Sequence, residues 1–190
     1  MIHSRSILVL SVLAAFSLAA PPAFAKPAKP AKESAKEAKS AKSSGKGKSI
    51  ELGTFENWKA YATQGKKTCY ALTRPKDRSP KTLKRDDAYI FISDRPADNV
   101  RNEVSIIMGF AMKDGSEPKA DINGVNFDLI AKGSNAWVKN ASEEGSFIQA
   151  LKKGSKLVVK ASSAKGHATT DTYSLGGVTD ALARIRKECP

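Results

Sequence analysis

Thr169-Thr170-Asp171-Thr172-Tyr173-Ser174-Leu175-Gly176-Gly177, running into Val178 to Cys189, decides how this chain is read. Threonine and tyrosine suit the pleated, half-buried surface of a strand. Val178, Ala181, Leu182, Ile185 and Cys189 then recur at i, i+3, i+4, i+7 and i+11, one face of a 3.6-residue helix. Arg184, Arg186 and Lys187 fall in its last turns, where cations complement the helix dipole. The chain therefore ends as strand, glycine hinge and helix. The last residue of the helix's apolar face is a cysteine, and the chain has only two, Cys69 and Cys189.

Upstream, the same periodicities place further strands. Lys67 to Thr73 and Lys156 to Ser162 read as strands, the latter with Leu157, Val159 and Ala161 inward. Thr54 to Ala62 reads as one edge strand with a bulge, because its aromatic residues fall out of phase. Ala88 to Asp94 and Val104 to Met112 are apolar on both alternating faces, the pattern of central strands covered on both sides. Asn123-Gly124 between alternating hydrophobics predicts a hairpin, with Val125, Phe127 and Leu129 facing the core. Ala136 to Lys139 reads as a short strand. Asn140, with Glu143 three residues on, caps a helix ending at Gly154, with Phe147, Ile148 and Leu151 inward. The sum is a mainly β chain, an antiparallel β-sandwich with two short helices, the last one C-terminal.

Residues 1–25 resemble a secretory signal peptide. Arg5 lies in a short n-region, Ile7 to Ala20 are apolar, and Ala23-Phe24-Ala25 supplies a cleavage site. The apolar run is too short for a membrane span of about 20 residues. The expectation is a periplasmic or secreted protein whose mature chain starts near Lys26. In an oxidising compartment Cys69 and Cys189 are expected to form a disulfide. Residues 26–49 are Lys/Ala/Pro-rich and cannot bury enough apolar surface to order themselves. Residues 50–190 are the expected β domain.

The net charge is +13, and residues 26–48 hold eight lysines and two glutamates, a net +6. A basic exported chain meets anionic polymers, membranes and cell surfaces rather than nucleic acid. Lys26, Lys29, Lys32, Lys36, Lys39, Lys42, Lys46 and Lys48 are candidates for such contact. So are Arg74, Lys76, Arg78, Lys81, Lys84 and Arg85 in the loop from Arg74 to Asp87, the densest charge of the domain. The partners expected are an anionic envelope polymer, a membrane surface or a host-cell surface protein.

No catalytic motif appears: no phosphate-binding loop, nucleophile elbow or dinucleotide fingerprint, and no His/Cys/Asp cluster at metal-ligand spacing. Asp86-Asp87 and Glu143-Glu144 are adjacent, so neither pair faces a common substrate as a glycosidase dyad does. Neither enzymatic activity nor a cofactor is expected.

Three stretches carry a resemblance. Arg95-Pro96-Ala97-Asp98-Asn99-Val100-Arg101-Asn102-Glu103-Val104-Ser105, Ala136-Trp137-Val138-Lys139-Asn140-Ala141 and Thr169 to Gly177 together resemble the invasion-associated locus B family of alphaproteobacteria. The resemblance covers roughly Leu52 to Cys189. It implies an exported β-sandwich without accepted enzymatic activity, linked in some members to host-cell invasion or the bacterial envelope. The alternative is a periplasmic structural or stress-related accessory protein without a specific ligand.

Overall fold

The computed structural model describes residues 48–64 and 68–190. The signal peptide and lysines 26 to 46 lie outside the described residues. Eleven strands form one sheet: β1 (Ser49–Phe55), β2 (Trp58–Thr63), β3 (Cys69–Thr73), β4 (Asp77–Ser79), β5 (Tyr89–Arg95), β6 (Val100–Ile107), β7 (Lys119–Ile122), β8 (Val125–Lys132), β9 (Asn135–Val138), β10 (Lys156–Ser162) and β11 (Ala168–Ser174). Two helices complete the fold, α1 (Glu144–Lys153) and α2 (Val178–Glu188).

The spatial order is β1-β2-β3-β5-β6-β9-β8-β7-β10-β11-β4. Each ladder is antiparallel, and β8 joins the two halves by pairing with β9 on one side and β7 on the other. Trp58 of β2, Leu129 of β8 and Tyr173 of β11 belong to one buried cluster, so the sheet curls over on itself as in a sandwich. The mostly antiparallel β architecture and the C-terminal helix are as the sequence predicts.

Period-2 alternation sets which side chains enter the core. Ile90 and Ile92 of β5, Val104 and Ile106 of β6, and Leu157 and Val159 of β10 are fully buried. On β2 and β3 the inward positions beside Trp58 and Cys69 are small, Ala60 and Ala71. That leaves room for α2, which packs on β1, β2 and β3 with Val178, Ala181, Leu182 and Ile185 buried. Full burial of side chains such as Leu182 and Ile185 stabilises by about 1.5–3 kcal/mol each. A disulfide joins Cys69 of β3 to Cys189, with Cα atoms 6.0 Å apart, and pins the end of α2 to the sheet.

The hinge before α2 requires glycine. Gly177 has φ of +89°, and a Cβ there would lie 2.0 Å from the Phe55 carbonyl oxygen in the β1–β2 turn. The Asn123-Gly124 turn, with φ of 50° and 91°, closes the β7–β8 hairpin as predicted.

Four expectations change. Thr54 to Ala62 is not one strand but the hairpin of β1 and β2, turning at Glu56-Asn57. The aromatic residues fall out of phase because Phe55 and Trp58 sit on either side of that turn, and the bulge lies earlier, between Glu51 and Gly53. Val125 is 53 % exposed rather than inward, because it adjoins the turn beyond the edge of the core, and Ala131 joins Phe127 and Leu129 inside. Strand β6 starts at Val100 and stops at Ile107, because Gly109 turns the chain at φ +72° against the Asp86 carbonyl. Finally, among the described residues β5 and β6 are covered on one face only. Tyr89, Phe91, Ser105 and Ile107 point away from the core and remain half-buried.

Candidate functional site

The three motif stretches build interior structure. In the first, β5 places Asp94 at an inward position, where a carboxylate needs partners to be tolerated. Arg101 and Arg186 of α2 supply them, at 3.3 and 3.1 Å, and the Asn102 backbone N–H donates at 2.8 Å. Arg101 also donates to the Cys189 carbonyl, so this cluster locks the end of α2 beside the disulfide. Asn99 and Asn102 hold positive φ, a conformation asparagine tolerates better than most residues. Arg95 forks onto Glu103 at 2.6 and 3.1 Å, and that hydrogen bonding raises its pKa further.

In the second stretch Ala136 and Val138 enter the core, while the Asn140 side chain accepts from the Ser142 N–H. Asn140 thus caps a single 3-10 turn, Ala141–Glu143, and α1 follows from Glu144. Trp137 of the same stretch points to the outer face. Lys139 pairs with Glu117, whose hydrogen bond raises the lysine pKa.

In the third stretch Thr169, Asp171 and Tyr173 all face inward on β11. Asp171 is wholly buried and takes Arg85 at 2.7 Å and Arg78 at 3.3 Å. Arg78 also donates to the carbonyls of Asp86 and Met108, at 2.7 and 2.8 Å. The Tyr173 hydroxyl is buried without a hydrogen-bond partner among the described residues, and burial pushes its pKa well above the usual tyrosine range. Ser174 receives the Trp58 indole N–H on its carbonyl and the Asn57 amide on its hydroxyl, tying β11 to the β1–β2 hairpin.

This divides the basic loop. Arg78 and Arg85 turn inward onto Asp171, and the Arg85 side chain is only 3 % exposed. Their charge belongs to the interior. Arg74, Lys76, Lys81 and Lys84 remain exposed, with Arg74 beside Asp87 at 3.1 Å and Lys81 paired with Asp77. Lys48 is exposed where the basic segment enters β1.

The outer face of the sheet was not singled out by sequence reasoning. Tyr61 and Tyr70 stack across β2 and β3 with centroids 5.3 Å apart, and Phe91 lies 5.8 Å from Tyr70 and 5.7 Å from Tyr89. The Arg74 guanidinium sits 4.9 Å over the Tyr89 ring. Burial raises the Tyr61 pKa, helped by its hydrogen bond to Glu51, whose own pKa is lowered chiefly by the Thr54 hydroxyl and then by Tyr61. The available signal was the two-faced apolar pattern of residues 89 to 92.

Concavities are shallow. A groove of about 390 Å³ runs between α1 and α2, floored by Ile148 and Leu182 and edged by Lys152 and Arg186. One of about 280 Å³ lies between Ser116-Pro118 and Thr169-Thr170. Neither presents a nucleophile with an oriented base. His167 is exposed, and among the described residues no three His, Cys, Asp or Glu side chains are placed to hold a metal. No helix among them is long and apolar enough to cross a membrane.

A family model described as Invasion associated locus B (IalB) protein matches residues 58–186. No significant match is found among curated proteins or among solved structures.

Proposed function

Because the chain belongs to the invasion-associated locus B family, we propose that it is an exported, non-catalytic β domain that binds a partner at an anionic envelope or host-cell surface. One observation carries this reading. Every charged side chain of the three motifs (Arg95, Asp98, Arg101, Glu103, Lys139 and Asp171) is held in an ion pair. Residues so paired position backbone and helices rather than attack a substrate, and catalysis needs a group left poised to react. The charge available for a partner lies elsewhere, in lysines 26 to 48 and in the exposed Lys76 and Lys84 of the loop, where Arg74 and Lys81 are exposed too but each stands beside an acidic residue. Each lysine close to an anionic surface contributes about 1 kcal/mol, decaying over a Debye length of about 8 Å at physiological salt.

The test is co-sedimentation of the protein beginning at Lys26 with lipopolysaccharide and with phosphatidylglycerol-containing vesicles, against the same protein lacking residues 26–48. Binding at low salt that falls steeply with ionic strength, and is much weakened by the deletion, supports the reading. Equal binding by both proteins at every salt concentration makes the segment a spacer. Absence of binding to either surface favours a structural accessory role.

A further inference from the structure

Strands β2, β3, β5, β6, β9 and β8 lie side by side. On the face away from the helices their registers align one straight row: Lys59, Leu72, Phe91, Ser105, Trp137 and Ile130. The flanking row brings Tyr61 opposite Tyr70, and on the other side Tyr89 stands opposite Ile107. The result is an aromatic and apolar strip with no second layer over it among the described residues. Surfaces of this composition mark binding sites.

What covers it is decided by size, composition and position. At about 4.8 Å per strand the strip runs roughly 24 Å, and its three rows, about 6.8 Å apart along the strands, make it roughly 14 Å wide. A footprint of roughly 340 Å² falls short of the ~800 Å² per partner of a stable protein interface, which argues against a second copy. Residues 26–47 offer no apolar side chain beyond alanine and proline to match it. The rings are half-buried and packed against one another, which favours a ligand laid along them over side chains inserted into a bilayer. A long, narrow ligand with apolar faces and hydroxyl edges fits these constraints.

We propose that the strip binds a polysaccharide chain bearing acidic groups, laid across the strands from Tyr61 toward Trp137. Ring faces and edges meet the C–H faces of the sugars, with few rotatable bonds to immobilise. Hydrogen bonds come from Ser105 within the central row and from Ser93 and Asn135 on either side of it. The carboxylates at the margin do not repel an acidic polymer outright, since Glu51 is paired with Lys59 at 3.4 Å, Asp87 with Arg74 at 3.1 Å and Glu103 with Arg95 at 2.6 Å. The Lys-rich segment supplies the attraction. It joins the domain at Lys48, and the next residue, Ser49, accepts from the Tyr70 hydroxyl at 3.2 Å. This inference rests on the proposed surface-binding role and adds the partner's chemistry and its place.

The two tryptophans make the test direct. Trp58 is wholly buried, whereas Trp137 lies on the strip, so acrylamide quenching reports Trp137. The protein beginning at Lys26 is titrated with hyaluronan, polygalacturonate and delipidated lipopolysaccharide, and separately with phosphatidylcholine/phosphatidylglycerol vesicles. Saturable protection by at least one polysaccharide, cutting quenching about twofold or more, is expected. Tyr70→Ser and Phe91→Ser should weaken that binding tenfold or more, while Tyr70→Phe keeps it. The wild-type quenching readout stands even if a serine variant fails to fold. Protection by none of the polysaccharides, protection by vesicles alone, or protection that rises with protein concentration without polymer overturns the proposal. If deleting residues 26–48 abolishes binding to polysaccharide that never protects Trp137, the strip fails and the surface-binding role stands. If neither polysaccharide nor vesicles bind, both fail.

Discussion

Replacing Asp171 with asparagine removes the charge that two arginines share inside the domain. Arg85 is almost fully enclosed and donates to Asp171 at 2.7 Å; Arg78 is a quarter exposed and has the carbonyls of Asp86 and Met108 as further acceptors. The loss therefore falls mainly on Arg85. Breaking one side of a buried pair costs about 3–5 kcal/mol, because the remaining charge stays desolvated. Asparagine keeps one acceptor oxygen, which places the expected loss near 3 kcal/mol, a large share of the ~5–15 kcal/mol of a typical domain. Asp128→Asn is the control. Asp128 also meets a cation at 2.7 Å, Lys119, but both are exposed, and such pairs contribute about 0–1 kcal/mol. Urea unfolding with the disulfide intact measures both, provided the slope is unchanged. Combining Asp171→Leu with Arg85→Met should recover much of the loss, since no buried charge is then stranded. If Asp171→Asn costs no more than Asp128→Asn, the interior role assigned to Asp171 and to the loop arginines is wrong.

Other perturbations separate the remaining devices. Cys189→Ser opens a loop of 120 residues, for which chain-entropy estimates give about 4.7 kcal/mol; a thermal midpoint unchanged from that of the oxidised protein contradicts this. Gly177→Ala meets the Phe55 carbonyl at 2.0 Å as well as a positive φ, and should cost at least ~2 kcal/mol. Gly124→Ala has the same positive φ but open space around it, so calorimetry should show roughly 1 kcal/mol. Tyr173→Phe removes a buried hydroxyl that lacks a partner among the described residues and should stabilise by ~1 kcal/mol near neutral pH. Because burial raises the Tyr173 pKa, the folded state keeps that proton while the unfolded tyrosine releases it near pH 10, so its share of stability falls above about pH 10. Tyr173→Phe should flatten that alkaline decline, and an unchanged pH profile counts against it.

Much of the fold was legible because burial on one side imposes a period. The α2 stripe of Val178, Ala181, Leu182 and Ile185, the β10 row of Leu157, Val159 and Ala161, and the Asn123-Gly124 hairpin all follow local rules. The β1–β2 turn was not legible, since Glu56-Asn57 carries no glycine and adopts its shape by packing against Gly176 and Gly177, more than a hundred residues away. Nor could sequence tell which loop arginines turn inward. Arg78 and Arg85 differ from Arg74 only in that the β4–β11 pairing and the chain's return past Met108 bring them to Asp171. The outer strip was written in the sequence as a two-faced apolar pattern, but that pattern describes a covered strand and a strand awaiting a partner equally well. Only the placement of both helices on the inner face distinguishes them.

The central claim is that binding has two parts, a charged segment that attracts and an aromatic strip that holds. Affinity for an acidic polysaccharide, measured at about 0.05 and 0.5 M salt for the chain beginning at Lys26 and for the chain lacking residues 26–48, tests it most directly. The account predicts a large difference between the two chains at low salt, and at high salt the same residual affinity in both, abolished by Phe91→Ser. A high-salt affinity that vanishes in both chains, or one indifferent to Phe91, contradicts it.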